Sequence, residues 1–140
     1  MPVIGFGFKA VEGKKTGVPG KEEIKINSTP KILDVKEVSV SDITKKALDI
    51  EFEFSTTYEP KIGEITVGGN LVYLAKDNKL ILDEWKKKKA VPEDVSIEIL
   101  NHLFRRCLLK ISYMSEDLQL PPPIQFPMVK PKGEETNYVG

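Results

Sequence analysis

Apolar and polar residues alternate along the first half of the chain, as they do in β-strands. The clearest example is the segment 48–54, in which apolar side chains take one face and carboxylates take the other. The apolar set is Leu48, Ile50, Phe52 and Phe54, and the acidic set is Asp49, Glu51 and Glu53. This pattern predicts a strand with one face in the core and one acidic face.

Two strands are predicted before this segment. Residues 3–11 alternate apolar side chains with glycines, and the following residues 13–22 collect turn formers and charges, which predicts a flexible loop. A second strand begins near Ile24 and is expected to be interrupted at Pro30. After Pro30 its apolar residues switch from odd-numbered to even-numbered positions, and thus from one face of the strand to the other, which predicts a β-bulge near Lys36–Glu37.

A fourth strand is predicted after the clearest one. Residues 64–75 alternate in the same way, except that the pair Gly68–Gly69 breaks the pattern. Because residues 71–74 are apolar on both faces, we expect a central or doubly covered strand. The glycine pair is not followed by a helix-opening Gly-Lys pattern, so a phosphate-binding loop is not indicated.

The second half of the chain has helical periodicity. Asp77 is a predicted N-cap for a short helix over about residues 79–89. A long helix opens at residues 91–94, where proline and acids suit the first turn, and runs to about Ser115 or Asp117. Strands first and helices last predict an α+β fold, a four-stranded antiparallel sheet with one short and one long C-terminal helix.

Length and composition indicate one domain over residues 1–140, with 40% apolar and 30% charged residues. The 21 basic and 21 acidic side chains cancel, so no net field attracts nucleic acid or an anionic membrane. No apolar run is long enough to insert into a membrane. The single cysteine, Cys107, excludes an internal disulfide and indicates a cytoplasmic protein.

The sequence contains no constellation for catalysis or metal binding. His102 and Cys107 are the only residues of their kinds, and five helical residues, about 500° of rotation, keep them from sharing a face. We expect His102 at the surface and Cys107 in the core. The run Lys86–Lys89 suits a solvated helix end rather than a nucleic-acid site. Neither an enzyme nor a cofactor is predicted.

The three carboxylates of the clearest strand have two interpretations. Asp49, Glu51 and Glu53 lie about 6–7 Å apart along one strand face. Acid–base chemistry on a glycoside uses such a spacing, yet no neighbouring group that would raise one pKa is evident. A solvated face explains the alternation, and an acidic docking surface is the alternative.

Several short motifs resemble those of SecB-type export chaperones. In this family, a Leu-x-Leu segment and a Pro-Val-Asn-Phe segment follow the long helix. They are similar to Leu118-Gln119-Leu120 and Pro123-Ile124-Gln125-Phe126 of this chain. Arg105-Arg106-Cys107-Leu108 resembles its Arg-x-Cys-Ile stretch, and Gly68–Gly69 falls where the family has paired glycines. The likeness covers about residues 24–126. It implies a core at about 24–127 and leaves a loose tail at 130–140.

The resemblance implies a homodimer or homotetramer whose grooves bind unfolded or extended polypeptide without ATP. The residues that would line such a groove are Trp85, Phe104, Leu118, Leu120, Ile124 and Phe126. It also implies a partner protein on the acidic face formed by Asp49, Glu51 and Glu53. The alternative is an oligomeric structural or adaptor protein of the same fold that lacks general chaperone activity.

Overall fold

A computed structural model of the chain describes residues 3–18, 20, 23–41 and 44–124. The predicted tail at 130–140 and the end of the predicted core at 125–127 lie outside the described residues. The elements in chain order are β1 (Val3–Lys15), β2 (Lys25–Ser39), β3 (Lys46–Glu59), β4 (Gly63–Tyr73), α1 (Asn78–Lys88) and α2 (Glu93–Asp117).

The four strands form one antiparallel sheet in the order β1-β4-β3-β2. The long helix α2 packs across one face of this sheet, and α1 packs near β2. The predicted α+β fold, four antiparallel strands followed by a short and a long helix, is confirmed. In the described part of the chain, no helix combines the length and apolarity needed to cross a membrane.

The core lies between the two central strands and α2. β3 alternates buried and half-buried positions along most of its length, as its sequence pattern predicts. The fully buried side chains of β3 and β4 include Leu48, Ile50, Phe52, Phe54, Ile65, Val67 and Leu71. The buried stripe of α2 consists of Val95, Ile99, Leu103, Cys107, Ile111 and Ser115. Each large apolar side chain stabilises the fold by about 1.5–3 kcal/mol when fully buried.

β1 is longer than the predicted strand. It continues to Lys15, which pairs with Gly63, so residues 13–15 of the predicted loop belong to the sheet. The backbone N–H groups of Thr16 and Gly17 then donate to the carbonyl oxygen of Ile62, at 2.9 and 3.1 Å. The prediction of a flexible loop is wrong for these residues, because β4 supplies backbone partners that their composition does not reveal.

β2 runs through Pro30 without interruption. The strand lies at the edge of the sheet, where a residue lacking an N–H group is tolerated. The register shift falls between Ile32 and Asp34, so the predicted bulge at Lys36–Glu37 is wrong and the extra residue is Leu33. The predicted bulge in β2 is therefore present, but its position depends on the pairing with β3.

The glycine pair does not break β4. The strand alternates through it, with Gly69 on the buried face. The register shift lies instead in β1, between Phe8 and Ala10, opposite the pair. A Cβ on Gly69 would collide with the carbonyl oxygen of Gly7 and would lie 2.9 Å from the Cα of Phe8. Gly69 therefore lets the bulged edge strand approach closely.

Both helices end in a left-handed turn. The Asp77 side chain accepts a hydrogen bond from the Leu80 N–H at 3.2 Å, which confirms the predicted N-cap of α1, and Lys89 closes that helix with a φ of 54°. After α2, Gln119 also has a φ of 54°, and the Leu120 N–H donates to the Ser115 carbonyl oxygen at 2.9 Å. The chain thereby reverses and places residues 121–124 back beside α2.

Candidate functional site

A groove with a volume of ≈ 400 Å³ lies between α2, the first half of β2 and the segment that follows α2. We call this the apolar groove, and its lining residues are Ile26, Ser28, Phe104, Leu108, Pro122, Pro123 and Ile124. None of these described residues carries a charge. The groove can therefore bury apolar side chains without desolvating an ion.

Phe104 forms the wall that α2 contributes to the groove. Its ring meets the buried ring of Phe54 edge to face, with centroids 5.3 Å apart and planes at 89°. The side chain nevertheless remains 37% exposed. One side of the ring is thus held by the core, which fixes its orientation, while another side faces the groove.

The edge strand β2 forms the floor. Ile26 and Ser28 face the same side of the sheet as Tyr58 and Thr56, their partners in β3. The Ser28 and Thr56 hydroxyls share a hydrogen bond of 2.8 Å, so this polar pair is satisfied. Because β2 is an edge strand, its outer side presents backbone N–H and C=O groups that an extended chain can pair with.

A second cavity, with a volume of ≈ 330 Å³, continues beyond Pro122. We call it the polar pocket, and its lining residues are Ser112, Ser115, Glu116, Leu120 and Pro122. Phe104, Leu108, Ser112 and Glu116 follow one another at four-residue steps, so the groove and the pocket lie along one flank of α2. Pro122 separates an apolar half from a polar half.

The hydroxyls at the polar pocket are unevenly satisfied. Ser115 donates to the carbonyl oxygen of Ser112 at 2.7 Å. Ser112 Oγ is shielded from solvent and has no hydrogen-bond partner among the described residues. Burial raises the pKa of Tyr58, which lines neither cavity, to about 12, and a side-chain hydrogen bond with Ser115 opposes this shift. The phenol is therefore protonated at neutral pH.

The structure brings together only some of the residues predicted for the groove. Phe104 and Ile124 both line the apolar groove. Leu120 lines the polar pocket instead, with 5% of its side chain exposed. Phe126 lies outside the described residues.

Two other predicted groove residues pack elsewhere. Leu118 is half-buried against β1, where its Cδ1 would lie 2.8 Å from a Cβ placed on Gly13. Trp85 is 7% exposed within the main core, and Lys89 Nζ lies 5.5 Å from the centroid of its ring. Neither residue lines the apolar groove or the polar pocket.

Sequence reasoning did not single out several residues of the site. Ile26 and Leu108 belong to apolar patterns that predict core, and only the position of β2 at the edge leaves them facing a groove. Ser112 and Glu116 carry no local signal. They line a pocket because the turn at Gln119 brings Leu120 and Pro122 back beside α2.

The acidic strand face lies on the side of the sheet away from α2. Its residues, Asp49, Glu51 and Glu53, are half-buried. Asn70 Nδ2 donates to Asp49 Oδ1 at 3.0 Å. In β2, Lys36 lies opposite Asp49 and Lys31 lies opposite Glu53. The face is thus a mixture of charges rather than a purely acidic surface.

His102 and Cys107 lie in different surroundings. His102 is half-buried, so the prediction of a surface position is wrong. The centroid of its ring lies 5.1 Å from the centroid of the Phe6 ring. Its Nε2 atom is shielded from solvent and has no hydrogen-bond partner among the described residues. Burial lowers the pKa of His102, and Arg106 and Arg105 lower it further. Cys107 is fully buried as predicted, and burial raises the pKa of its thiol to about 12. In the described residues, no three or more His, Cys, Asp or Glu side chains are grouped to hold a metal ion.

The fold and groove together define an α+β protein with an apolar channel between a helix and a sheet edge. No protein-family model matches the chain, and no curated protein matches it. Among solved structures, the chain is similar to the Rv1957 SecB-like chaperone of Mycobacterium tuberculosis, in complex with a ChAD peptide from the HigA1 antitoxin. The identity is 9%, the match covers 92% of this chain and 91% of the other, and the TM-score is 0.49.

Proposed function

We propose that this protein is an ATP-independent, non-enzymatic holdase that binds extended segments of unfolded polypeptide. The observation that carries the proposal is the uncharged groove between α2 and β2, the edge strand of the sheet among the described residues. An extended segment that lies there buries side chains against Phe104, Leu108 and Ile124. Its backbone can also pair with β2, as in other cases of strand addition.

The expected affinity follows from the small area of the groove. Two or three apolar side chains contribute about 1.5–3 kcal/mol each when fully buried, and ordering of the segment offsets part of this gain. Because the gain totals about 3–9 kcal/mol before the cost of ordering, we expect a dissociation constant between the millimolar and micromolar ranges, about 4–8 kcal/mol, for a single groove. Such binding delays aggregation and still allows release.

Sequence features also bear on the oligomeric state, the location in the cell and the partner that we propose. The motifs at residues 105–108 and 118–126 resemble those of SecB-type chaperones, which supports a homodimer or homotetramer. The lone Cys107 supports a cytoplasmic setting. We propose that a partner protein contacts Asp49, Glu51 and Glu53. Because Lys31 and Lys36 flank these carboxylates on β2, the basic groups of the partner have to fit between the two lysines.

The test is suppression of aggregation without nucleotide. A chemically denatured model substrate is diluted into buffer with a stoichiometric excess of the protein, and light scattering is recorded. We expect scattering to fall in proportion to the protein added. Unchanged scattering, together with no change in anisotropy of a labelled apolar peptide, would contradict the proposal. Because Trp85 is buried, its fluorescence reports unfolding rather than groove occupancy.

An oligomeric adaptor is the second candidate. It is favoured by the apolar side chains that α2 exposes on its outward side, where Ile97, Leu109 and Tyr113 are 53%, 61% and 70% exposed. Under this alternative these residues bind a second copy of the chain or a defined partner, and clients are not bound. Light scattering coupled to gel filtration, with and without the model client, distinguishes an oligomer that binds clients from one that does not.

A further inference from the structure

The chain itself forms one wall of the apolar groove. Pro122 lines the polar pocket together with Ser112, and Ile124 lines the groove together with Phe104. Because Phe104 precedes Ser112 by about two helical turns, the chain runs from Pro122 to Ile124 toward the start of α2. Ile124 is the last described residue, and residue 125 follows it directly at the groove wall.

The residues after Ile124 have a composition that suits the groove. Residues 125–129 are Gln-Phe-Pro-Met-Val, and the first charge after them is Lys130. Two residues of chain span at most about 7 Å, so Phe126 is within reach of the groove through the covalent chain alone. In an extended chain, residues two apart point to the same side, so Phe126 and Met128 share the side that Ile124 turns to the groove.

An uncharged strip continues from the groove in the direction that the chain takes. The Phe104 ring meets the ring of Phe54, which pairs with Pro30 of β2. Pro30 and Ile32 are half-buried positions on one face of β2, and Leu100, one turn before Phe104 on α2, is half-buried as well. The described residues leave part of this apolar surface uncovered, so the strip can bury more of a segment than the groove alone.

Attachment to the groove wall favours residues 125–129 over a free segment. A short connection gives a tethered segment an effective concentration in about the millimolar range. Proline at 121–123 and at 127 fixes φ in the unbound chain, so less conformational entropy is lost when the segment docks. Proline lacks an N–H group, so Pro127 requires no hydrogen-bond acceptor in an apolar site.

We infer that residues 125–129 occupy the apolar groove of their own chain and that a client segment must displace them. This inference rests on the proposed function and adds a regulation of the same site. The apparent affinity for a client is reduced by the fraction of grooves that are open. Weakly apolar segments are therefore excluded, whereas the strongly apolar segments that unfolded chains expose are bound.

The test compares the unaltered protein with the double variant Phe126→Ser, Met128→Ser and with Tyr138→Ser, all as full chains. Tyr138→Ser is the matched control, because it removes an aromatic ring from beyond the charged residues 130–135. The first measurement is NMR of the methyl groups of Ile26 and Leu108, whose resonances sense a nearby aromatic ring. The second is the anisotropy of a short fluorescein-labelled peptide with Phe and Leu at its centre.

The expected result is a shift of both methyl resonances and a gain in peptide binding. The double variant should shift the resonances, and Tyr138→Ser should leave them in place. Phe126→Leu, which keeps an apolar side chain and removes only the ring, should shift the same resonances. The double variant should bind the peptide about three- to tenfold more tightly, because the fraction of open grooves rises toward one. Tyr138→Ser should bind it as the unaltered protein does.

Three outcomes overturn the inference alone. One is unshifted methyl resonances in the double variant and in Phe126→Leu. Another is equal or weaker peptide binding by the double variant, since weaker binding would make Phe126 part of the client site. The third is a shift difference that grows with protein concentration, which would assign the groove to the segment of a second copy. If the resonances shift as expected but none of the proteins binds the peptide, the segment occupies the groove and the proposed function fails.

Discussion

The guanidinium carbon of Arg106 lies 4.5 Å from the centroid of the Phe6 ring and so connects α2 to the edge strand β1. His102, one turn earlier, meets the same ring, and Lys110, one turn later, lies 5.9 Å from the centroid of Phe8. Cation–π contacts of this kind contribute about 0.5–1 kcal/mol at exposed sites. They make the attachment of β1 sensitive to charge on α2.

Acidification should destabilise the protein through His102. Burial and the charges of Arg106 and Arg105 lower the pKa of this residue below 6.5 in the folded state. The unfolded chain therefore binds the proton more readily. The stability contributed by neutral His102 is present above pH 6.5 and is lost as the pH falls toward the folded-state pKa.

Urea unfolding of the unaltered protein and of His102→Gln between pH 8 and pH 5 measures this effect. The difference in stability between them should change as the pH falls through the window near 6.5 and should stay constant at higher pH. Parallel pH profiles for the two proteins would show that His102 does not cause the dependence.

A methyl group on Gly69 should be much more damaging than one on Gly68. On Gly69 it would collide with the carbonyl oxygen of Gly7, whereas on Gly68 it would meet the Phe52 carbonyl oxygen at 3.3 Å. We expect Gly69→Ala to lower the free energy of unfolding by about 2–3 kcal/mol, and Gly68→Ala to lower it by less than about 1 kcal/mol. Chemical denaturation of both variants tests the difference, and equal losses would contradict the close approach of β1.

A glycine in place of Gln119 should stabilise the protein. Gln119 has a φ of 54°, in the left-handed region where a side chain is unfavourable and glycine is common after helices. We expect Gln119→Gly to raise the free energy of unfolding by about 0.5–1 kcal/mol, since the turn is retained and the strain is removed. Thermal unfolding measures the gain. Gln119→Ala, which keeps a Cβ, is the matched control and should bring no such gain.

Removal of the Phe104 ring should weaken client binding more than it weakens the fold. The ring contacts Phe54 but is partly exposed, so Phe104→Ala should cost about 1–2 kcal/mol of stability. Loss of an aromatic anchor should weaken binding of an apolar peptide about tenfold. Leu109→Ala, which removes a 61% exposed side chain outside the groove, should leave binding unchanged. Similar losses in both variants would argue against the groove as the site.

Much of the fold was predictable because its signals are local. The alternation of residues 48–54 places one face of β3 in the core whatever its neighbours are. Asp77 caps α1 through a hydrogen bond within its own turn, and the apolar stripe of α2 defines the buried side of that helix. The bulge of β2 lies at Leu33 rather than at Lys36–Glu37, and the bulge of β1 has no signal in its own sequence, because a bulge is a property of two strands rather than one.

Less of the candidate site was predictable. Phe104 and Ile124 were identified from a resemblance in motifs, and both line the groove. Trp85 was also identified, but its apolar surface is taken up by the core. An apolar pattern does not distinguish a residue that packs inside from one that faces a groove, because both bury the same kind of surface.

The sequence by itself determined the order and type of the elements and their apolar faces, because these depend on residue identity and short-range spacing. Only the tertiary structure decided that β2 is an edge strand, that Gln119 reverses the chain and that Phe104 and Ile124 line one groove. Those features depend on contacts between segments far apart in the chain. Their free energy comes from packing and hydrogen bonds that no single segment contains.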